Sequence, residues 1–253
     1  INPGNIGSED RVKAVADICK SKNIPIRIGV NGGSLEKHIL EKYGAPTPEA
    51  LCESAMFHVK LLEKFNFYDT VVSIKSSDVT STIKANRLFA QMSDYPIHLG
   101  VTEAGTERSG LIKSSAGIGS LLCDGIGDTL RVSLSDDVIK EVEAAKDLLR
   151  VLGIRKGVKI VSCPTCSRCN INVFNTAKRL EQALKDKDWD MKIAVMGCAV
   201  NGPGEAKEAD IGIAGGQGEG LLFKKGEIVG KVPMSDFFDV LMKEAQKLSQ
   251  EKQ

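Results

Sequence analysis

The sequence predicts an α/β protein, with a partial (β/α)8 TIM-type barrel over residues 1–152 followed by a small α+β domain over residues 153–253. Short β-type runs alternate with longer segments of helical period as far as about residue 152, which is typical of a parallel sheet covered by helices. A basic, glycine-containing segment, residues 153–158, then separates this repeat from a region with a different order of elements. We therefore expect two domains.

Strands in the first region are predicted from short runs with branched residues near their centres. These runs are Ile24–Val30, Thr70–Ile74, Ile97–Val101 and Thr129–Leu134. Helices are predicted between them. In Asp136–Leu152, for example, apolar residues recur at helical spacing, and Ser135 is the expected N-cap.

Polar residues at or just after these β runs favour a barrel over a doubly wound sheet, because barrel active sites use the carboxyl ends of several different strands. The residues are Arg27, Asn31, Lys75, Asp78, Glu103, Arg131 and Ser133. If Ile1-Asn2-Pro3 ends one strand, there are only about five βα units where a closed barrel needs eight. The expectation is that the N-terminal units of the barrel are absent and that the chain is a fragment.

The second region is predicted to contain strands at Val158–Ser162 and Lys192–Met196, and helices at Phe174–Lys185 and Ser235–Gln250. The glycine-rich segment 215–220 does not match a phosphate-binding loop and is predicted to connect a hairpin.

Composition and charge exclude several classes of function. The net charge is +1 and aromatic residues make up 5% of the chain, so neither nucleic acid nor an anionic membrane is an expected partner. We find no apolar run long enough to span a bilayer and no signal-peptide pattern. The expected location is the cytoplasm.

Four of the seven cysteines cluster in a way that predicts a metal centre. Cys163, Cys166 and Cys169 form two overlapping C-x2-C pairs after a predicted strand, and Cys198 begins a glycine-rich loop after another. All four thiolates could bind zinc, but the C-x2-C-x2-C spacing favours an iron–sulfur cluster. A zinc-stabilised lyase working through Lys75 and a ferredoxin-like electron carrier remain alternatives. Cys19, Cys52 and Cys123 are predicted to be buried apolar residues, and the three histidines are assigned no role.

Five motifs occur in order along the chain: INPGNIG at 1–7, GVTEAG at 100–105, GIGDTLRVS at 125–133, CPTC at 163–166 and GCAVNGPGE at 197–205. Together they resemble the 4-hydroxy-3-methylbut-2-enyl diphosphate synthase family of the non-mevalonate isoprenoid pathway. The resemblance implies a substrate-binding barrel and a sulfite-reductase-like domain with a [4Fe-4S] cluster. It also implies flavodoxin or ferredoxin as the electron donor and a head-to-tail homodimer, which pairs the barrel of one subunit with the cluster domain of the other.

The resemblance further implies which residues act. The cluster ligands would be Cys163, Cys166, Cys198 and Glu205, with Cys169 outside the motif. A carboxylate ligand such as Glu205 can leave iron and open a coordination position, so it also counts as catalytic. The implied reaction is reductive ring opening of 2-C-methyl-D-erythritol 2,4-cyclodiphosphate, with Glu103 as the acid or base. The implied substrate-binding residues are Arg27, Asn31, Lys75, Arg131, Ser133 and Asn201.

Overall fold

The computed structural model describes residues 1–199, 204 and 206–251. The chain divides into two compact units, Ile1–Leu152 and Gly153–Gln253. Among the residues that the structure describes, the first unit has one cluster of buried apolar side chains, and the second has two. No helix in the described ranges is long and apolar enough to cross a membrane.

The first unit alternates helices with short strands. Its elements are α1 (Pro3–Ile6), α2 (Glu9–Lys22), β1 (Ile26–Asn31), α3 (Lys37–Tyr43), α4 (Pro48–Lys64), β2 (Thr70–Lys75), α5 (Val79–Met92), β3 (His98–Leu99), α6 (Glu107–Cys123), β4 (Thr129–Leu130) and α7 (Val138–Val151). Buried residues of the longer helices pack against the strands in one core. The content is therefore mixed α/β, with the predicted alternation.

The strands of the first unit pair in parallel and in chain order. β1 pairs with β2, a single bridge from Val72 to Ile97 joins β2 to β3, and β3 pairs with β4. Ile1 lies beside β1, because its nitrogen donates to Arg27 O at 2.6 Å and its carbonyl accepts from Gly29 N at 2.8 Å. Neighbours in sequence are thus neighbours in space, as along the wall of a (β/α)8 barrel.

Two predicted strands are shorter than expected. β3 and β4 each contain two residues, where the sequence predicted Ile97–Val101 and Thr129–Leu134. Near the end of the predicted β4, Leu134 N donates to Glu141 Oε1 at 2.8 Å instead of to a strand. The backbone just beyond both predicted strands also bonds to loops: Thr102 N donates to Ser76 O at 3.3 Å, and Ser135 N donates to Gly105 O at 2.9 Å. These segments leave the strand ladder and form loops at the carboxyl ends of the strands.

The predicted N-cap of α7 is wrong. Asp137, not Ser135, caps the helix, because its side chain accepts a hydrogen bond from Ile139 N at 2.9 Å. A carboxylate at this position satisfies an unpaired N–H of the first turn and favours the positive end of the helix dipole. Ser135 stays outside the helix.

The second unit is a five-stranded mixed sheet with two long helices. Its elements are β5 (Val158–Ser162), α8 (Val173–Leu184), β6 (Met191–Met196), β7 (Ile211–Gly215), β8 (Glu219–Lys224), β9 (Glu227–Pro233) and α9 (Phe237–Glu251). The strand order is β5-β6-β7-β8-β9, parallel from β5 to β7 and antiparallel from β7 to β9. Leu180 of α8 and Leu241 of α9 share a core with the sheet. The predicted α+β character and the hairpin at residues 215–220 are confirmed.

Candidate anion pocket and cysteine loops

A pocket of about 260 Å³ lies on the inward face of β1, β2 and the segments after β3 and β4. Its lining consists of Ile1, Asn2, Arg27, Gly29, Asn31, Ser73, Lys75, Thr102 and Arg131. Four residues that the resemblance assigns to substrate binding, Arg27, Asn31, Lys75 and Arg131, are among them. The structure brings these four together, with Asn31 and Lys75 at the carboxyl ends of β1 and β2 and Arg131 just after β4. The expected position of Arg27 at a strand end is wrong, because β1 begins at Ile26 and Arg27 is its second residue.

The two-residue period of a strand explains this convergence. On β1, Arg27, Gly29 and Asn31 face the pocket, while Ile28 and Val30 are buried in the core. The parallel register places Gly29 beside Ser73 and Asn31 beside Lys75. We call the level of Gly29 and Ser73 the middle row, and that of Asn31 and Lys75 the upper row.

Lys75 is the most buried cation of the pocket, with 8% of its surface exposed. Burial, followed by the charges of Arg131 and Arg27, lowers its pKa to about 8. Within the described residues, none of these three cations has a carboxylate within 4.0 Å. Since buried charges are normally paired, this arrangement is suited to an anionic ligand that completes the pairing.

Gly100 makes room for Lys75, a role that the sequence did not reveal. A Cβ on Gly100 would stand 2.9 Å from Lys75 Cε and 3.0 Å from Arg131 O. The lysine chain therefore crosses the glycine backbone towards β4. The signal in the sequence is a glycine two residues after His98, on the same face of the chain, but its meaning depends on the register between strands.

Ser133 and Glu103 adjoin residues that line the pocket, Arg131 and Thr102. Arg131 Nη2 donates to Ser133 Oγ at 2.6 Å, which fixes the guanidinium. Glu103 is exposed and follows the lining residue Thr102. Its φ of +52° is unusual for a residue with a side chain, and such conformations cluster at functional sites. Among the described residues, no ion pair joins Glu103 to Arg108 or Arg131.

His98 lies on the same inward face, one residue beyond the bridge that pairs β2 with β3. Its ring is 5% exposed, and its Nδ1 is 2.8 Å from Thr129 Oγ1. Burial, followed by the charges of Lys75, Arg27 and Arg131, lowers its pKa to about 4. The ring is therefore neutral at physiological pH. The sequence analysis assigned His98 no role, because a single histidine inside a predicted strand belongs to no recognisable motif.

The cysteine loops of the second unit follow two neighbouring parallel strands. Cys163 comes directly after β5, and Cys198 is two residues after the end of β6. The carboxyl ends of parallel neighbours lie at the same edge of a sheet, so the two loops meet. Asn170 N donates to Gly197 O at 2.9 Å and ties one loop to the other.

Gly197 forms a cradle for sulfur. Its N–H donates to Cys163 Sγ at 3.0 Å. A Cβ on Gly197 would stand 2.6 Å from Cys169 Sγ and 3.3 Å from Cys163 Sγ, so these two sulfurs lie close to one point. Cys169, which the resemblance leaves outside the ligand set, is thus a neighbour of Cys163, and its Sγ donates to Ile171 O at 3.2 Å.

The other predicted ligands are less closely grouped. Cys166 is exposed, and a hydrogen bond from the Arg168 backbone lowers the pKa of its thiol. Cys198 is half-buried. Glu205 and Asn201 lie outside the described residues. Within the described part of the chain, no group of three or more His, Cys, Asp or Glu side chains is close enough to hold one metal ion.

The donor chemistry nevertheless fits an iron–sulfur cluster. Four free thiols stand on two adjoining loops, and a backbone N–H points at one of the sulfurs. Thiolates are the usual ligands of such clusters, and N–H groups directed at sulfur stabilise their negative charge. The glycine leaves space where any side chain would push the sulfurs away.

An α/β protein with an unpaired cationic pocket and thiol-bearing loops has the features of an enzyme with a small anionic substrate and a redox-active metal centre. Comparison with known families gives the particular family. The family model described as "GcpE TIM-barrel domain" matches residues 1–146, and that described as "GcpE protein C-terminal domain" matches residues 159–247. The chain belongs to the GcpE family.

Curated proteins with an enzyme name are similar to this chain over most of its length. The "4-hydroxy-3-methylbut-2-en-1-yl diphosphate synthase (flavodoxin)" of Clostridium perfringens is 57% identical over 96% of this chain and 70% of its own length. The proteins of that name from Fusobacterium nucleatum and Geobacter sulfurreducens are 58% and 54% identical, over 96% and 100% of this chain and 69% and 72% of their own lengths. The resemblance drawn from the five motifs is confirmed.

Proposed function

We propose that this protein is an iron–sulfur oxidoreductase that converts 2-C-methyl-D-erythritol 2,4-cyclodiphosphate to 4-hydroxy-3-methylbut-2-enyl diphosphate in isoprenoid precursor biosynthesis. The observation that carries the proposal is the buried, unpaired Lys75 between Arg27 and Arg131. Together with the names of the relatives, it supports a diphosphate as the ligand. The reaction consumes two electrons and two protons, opens the ring at a C–O bond and releases water.

The pocket residues would hold the diphosphate. Arg27 and Arg131 can form paired hydrogen bonds with phosphate oxygens, and Lys75 supplies a compact charge. Asn31 and Ser133 add neutral donors, and Asn201 is proposed as a further contact. Because Ser133 already fixes Arg131, the guanidinium is held in place before the ligand arrives.

Glu103 is the proposed acid or base. It is exposed and follows Thr102, which lines the pocket, and its backbone has a φ of +52°, a conformation that clusters at functional sites. From there it can hydrogen-bond a ligand hydroxyl or deliver a proton as the oxygen leaves.

The [4Fe-4S] cluster would be held by Cys163, Cys166, Cys198 and Glu205. When bound, it supplies the two electrons one at a time, received from flavodoxin or ferredoxin. Gly197 directs its N–H at Cys163 Sγ and so stabilises that thiolate. We also propose that the first unit is part of a (β/α)8 barrel, that the second is sulfite-reductase-like, and that the enzyme is a head-to-tail homodimer. Sedimentation equilibrium tests the dimer, and a fully active monomer would contradict it.

Anaerobic purification with iron and sulfide analysis is the first test. We expect a brown protein with about four irons per chain. In the presence of a low-potential reductant it should form the linear diphosphate. Lys75→Met should keep the brown chromophore but lose substrate binding, since only the pocket is changed.

Lys75 also favours a second candidate, a lyase that forms a Schiff base with a carbonyl substrate, because such lysines have lowered pKa values. Borohydride reduction separates the two functions. A colourless, zinc-containing protein with a borohydride-trapped adduct on Lys75 would overturn the proposed redox function.

A further inference from the structure

We infer that His98 is a further substrate-positioning residue, whose Nε2–H donates a hydrogen bond to an oxygen of the ligand held between Arg27, Lys75 and Arg131. The inference rests on the proposed function for the identity of the ligand. It starts from one unsatisfied atom: His98 Nε2 is buried and has no hydrogen-bond partner.

The strand register places His98 in the middle row of the pocket. Val72 bridges to Ile97, so the next residues, Ser73 and His98, stand side by side on the inward face. Ser73 and Gly29 belong to the same row and line the pocket. His98 is therefore the next residue along the row whose first two members, Gly29 and Ser73, line the pocket.

Small residues leave the middle row open. Gly29 has no side chain and Ser73 has only a hydroxymethyl group, whereas the upper row carries Asn31 and Lys75. Within this row the imidazole is the largest side chain, and the charges of Lys75, Arg27 and Arg131 act on it. A buried polar atom beside such a space, with no partner among the described residues, is suited to bind a ligand atom.

The contact with Thr129 is compatible with an imidazole that carries its proton on Nε2. Thr129 Oγ1 lies 2.8 Å from His98 Nδ1, and β3 pairs His98 with Thr129 directly. If the hydroxyl donates to Nδ1, the single ring proton is on Nε2, which becomes a donor. Burial, followed by the surrounding cations, keeps the ring neutral, so it adds a hydrogen bond without a fourth charge.

Two His98 variants test the donor. The cyclic diphosphate is titrated into the oxidised holoenzyme at pH 7.5 without a reductant, so that binding is measured without turnover. His98→Gln keeps an N–H near the Nε2 position and should bind within about threefold of wild type. His98→Leu has similar bulk without the donor and should bind roughly 10- to 100-fold more weakly, as expected for one buried hydrogen bond to a charged ligand. Equal affinities of the two variants would overturn the inference.

Nitrogen NMR provides a signal, the ¹⁵N resonance of His98 Nε2, that would not change on ligand binding if His98 had only a structural role. The chain has three histidines, so ¹⁵N-histidine labelling gives a simple spectrum, and His98→Gln identifies the resonances of His98. We expect the Nε2–H tautomer and a shift of Nε2 on ligand binding. An Nδ1–H tautomer, or no shift at saturation, would overturn the inference.

Thr129→Val keeps the test valid if the His98 variants do not fold, because Thr129 is exposed and valine is isosteric. It should mix the two tautomers, and the affinity should fall in proportion to the Nε2–H fraction that is lost, because only that tautomer can donate to the ligand. Wild-type affinity with an unchanged tautomer would contradict the inference. Lys75→Met separates this inference from the proposed function: if the wild type fails to bind, or Lys75→Met binds equally well, it is the proposed function that fails.

Discussion

Lys75 makes ligand binding depend on pH in a defined direction. Its pKa of about 8 in the free pocket means that the ammonium is charged below pH 8 and neutral above it. An anion that binds only the charged form raises the pKa, so binding takes up one proton above pH 8. His98, whose pKa is lowered to about 4, remains neutral in this range.

We therefore expect the affinity for the cyclic diphosphate, whose phosphates have no proton to lose in this range, to be constant below pH 8. It should fall by about tenfold per pH unit from pH 8 to pH 10. Isothermal titration calorimetry checks this slope. Lys75→Arg is the matched control, because its charge persists and the slope should disappear. A steep slope in that variant would assign the titration to another group.

Gly197 is a second position where a single added atom, a Cβ, should change the binding of the cluster. A Cβ would overlap Cys169 Sγ and press on Cys163 Sγ, and overpacking of this kind costs about 1–3 kcal/mol. Gly197→Ala should therefore lower the iron and sulfide content per chain after reconstitution. Gly230→Ala is the control, since nothing lies within 4 Å of its Cβ position. Full iron content in Gly197→Ala would show that the sulfurs do not need this space.

At the scale of elements, α7 begins at a carboxylate that the sequence did not single out. Asp137 caps the helix through Ile139 N, while Ser135 bonds through its backbone to Gly105 O. We expect Asp137→Ala to lower the free energy of unfolding by about 1 kcal/mol. Ser135→Ala should change it by less than about 0.5 kcal/mol. Urea denaturation followed by circular dichroism compares the two, and the reverse order of effects would restore Ser135 as the cap.

The long elements could be predicted because their apolar period is a property of the chain itself. α8, α9 and β5 appear within a few residues of their predicted bounds. The ends of β3 and β4 could not be predicted, because they depend on where Thr102 and Ser135 find hydrogen-bond partners in distant loops. Local preference does not contain this information.

The pocket also combines features that the local sequence predicts with features that depend on pairing between strands. Arg27, Lys75 and Arg131 were proposed from strand ends and motifs, and the structure places them around one space. Gly100 and His98 were missed because their roles follow from pairing between strands: Gly100 lies under the Lys75 chain, and His98 stands beside Ser73. A single sequence shows which residues of a strand share one side of the sheet. It does not show the register between strands, which decides which of these residues become neighbours.

At the scale of the whole molecule, the two units have separate cores. In the described residues, each cluster of buried apolar side chains draws on one unit alone, with Leu62 in the first and Leu180 in the second. Truncating either leucine to alanine removes fully buried methyl groups and should cost about 2–5 kcal/mol. Because the cores share no residue, each loss should be confined to the unit that carries the change.

Thermal unfolding of the holoenzyme should accordingly show two transitions. Leu62→Ala should lower one, and Leu180→Ala the other. A ligand stabilises the residues that bind it, by about 2.7 kcal/mol at one hundred times its Kd, and all the proposed substrate contacts except Asn201 belong to the first unit. The cyclic diphosphate should therefore raise the transition that Leu62→Ala lowers, and removal of iron by a chelator should lower the transition that Leu180→Ala lowers. Differential scanning calorimetry distinguishes these assignments, and a single transition moved by all four changes would show that the units unfold as one.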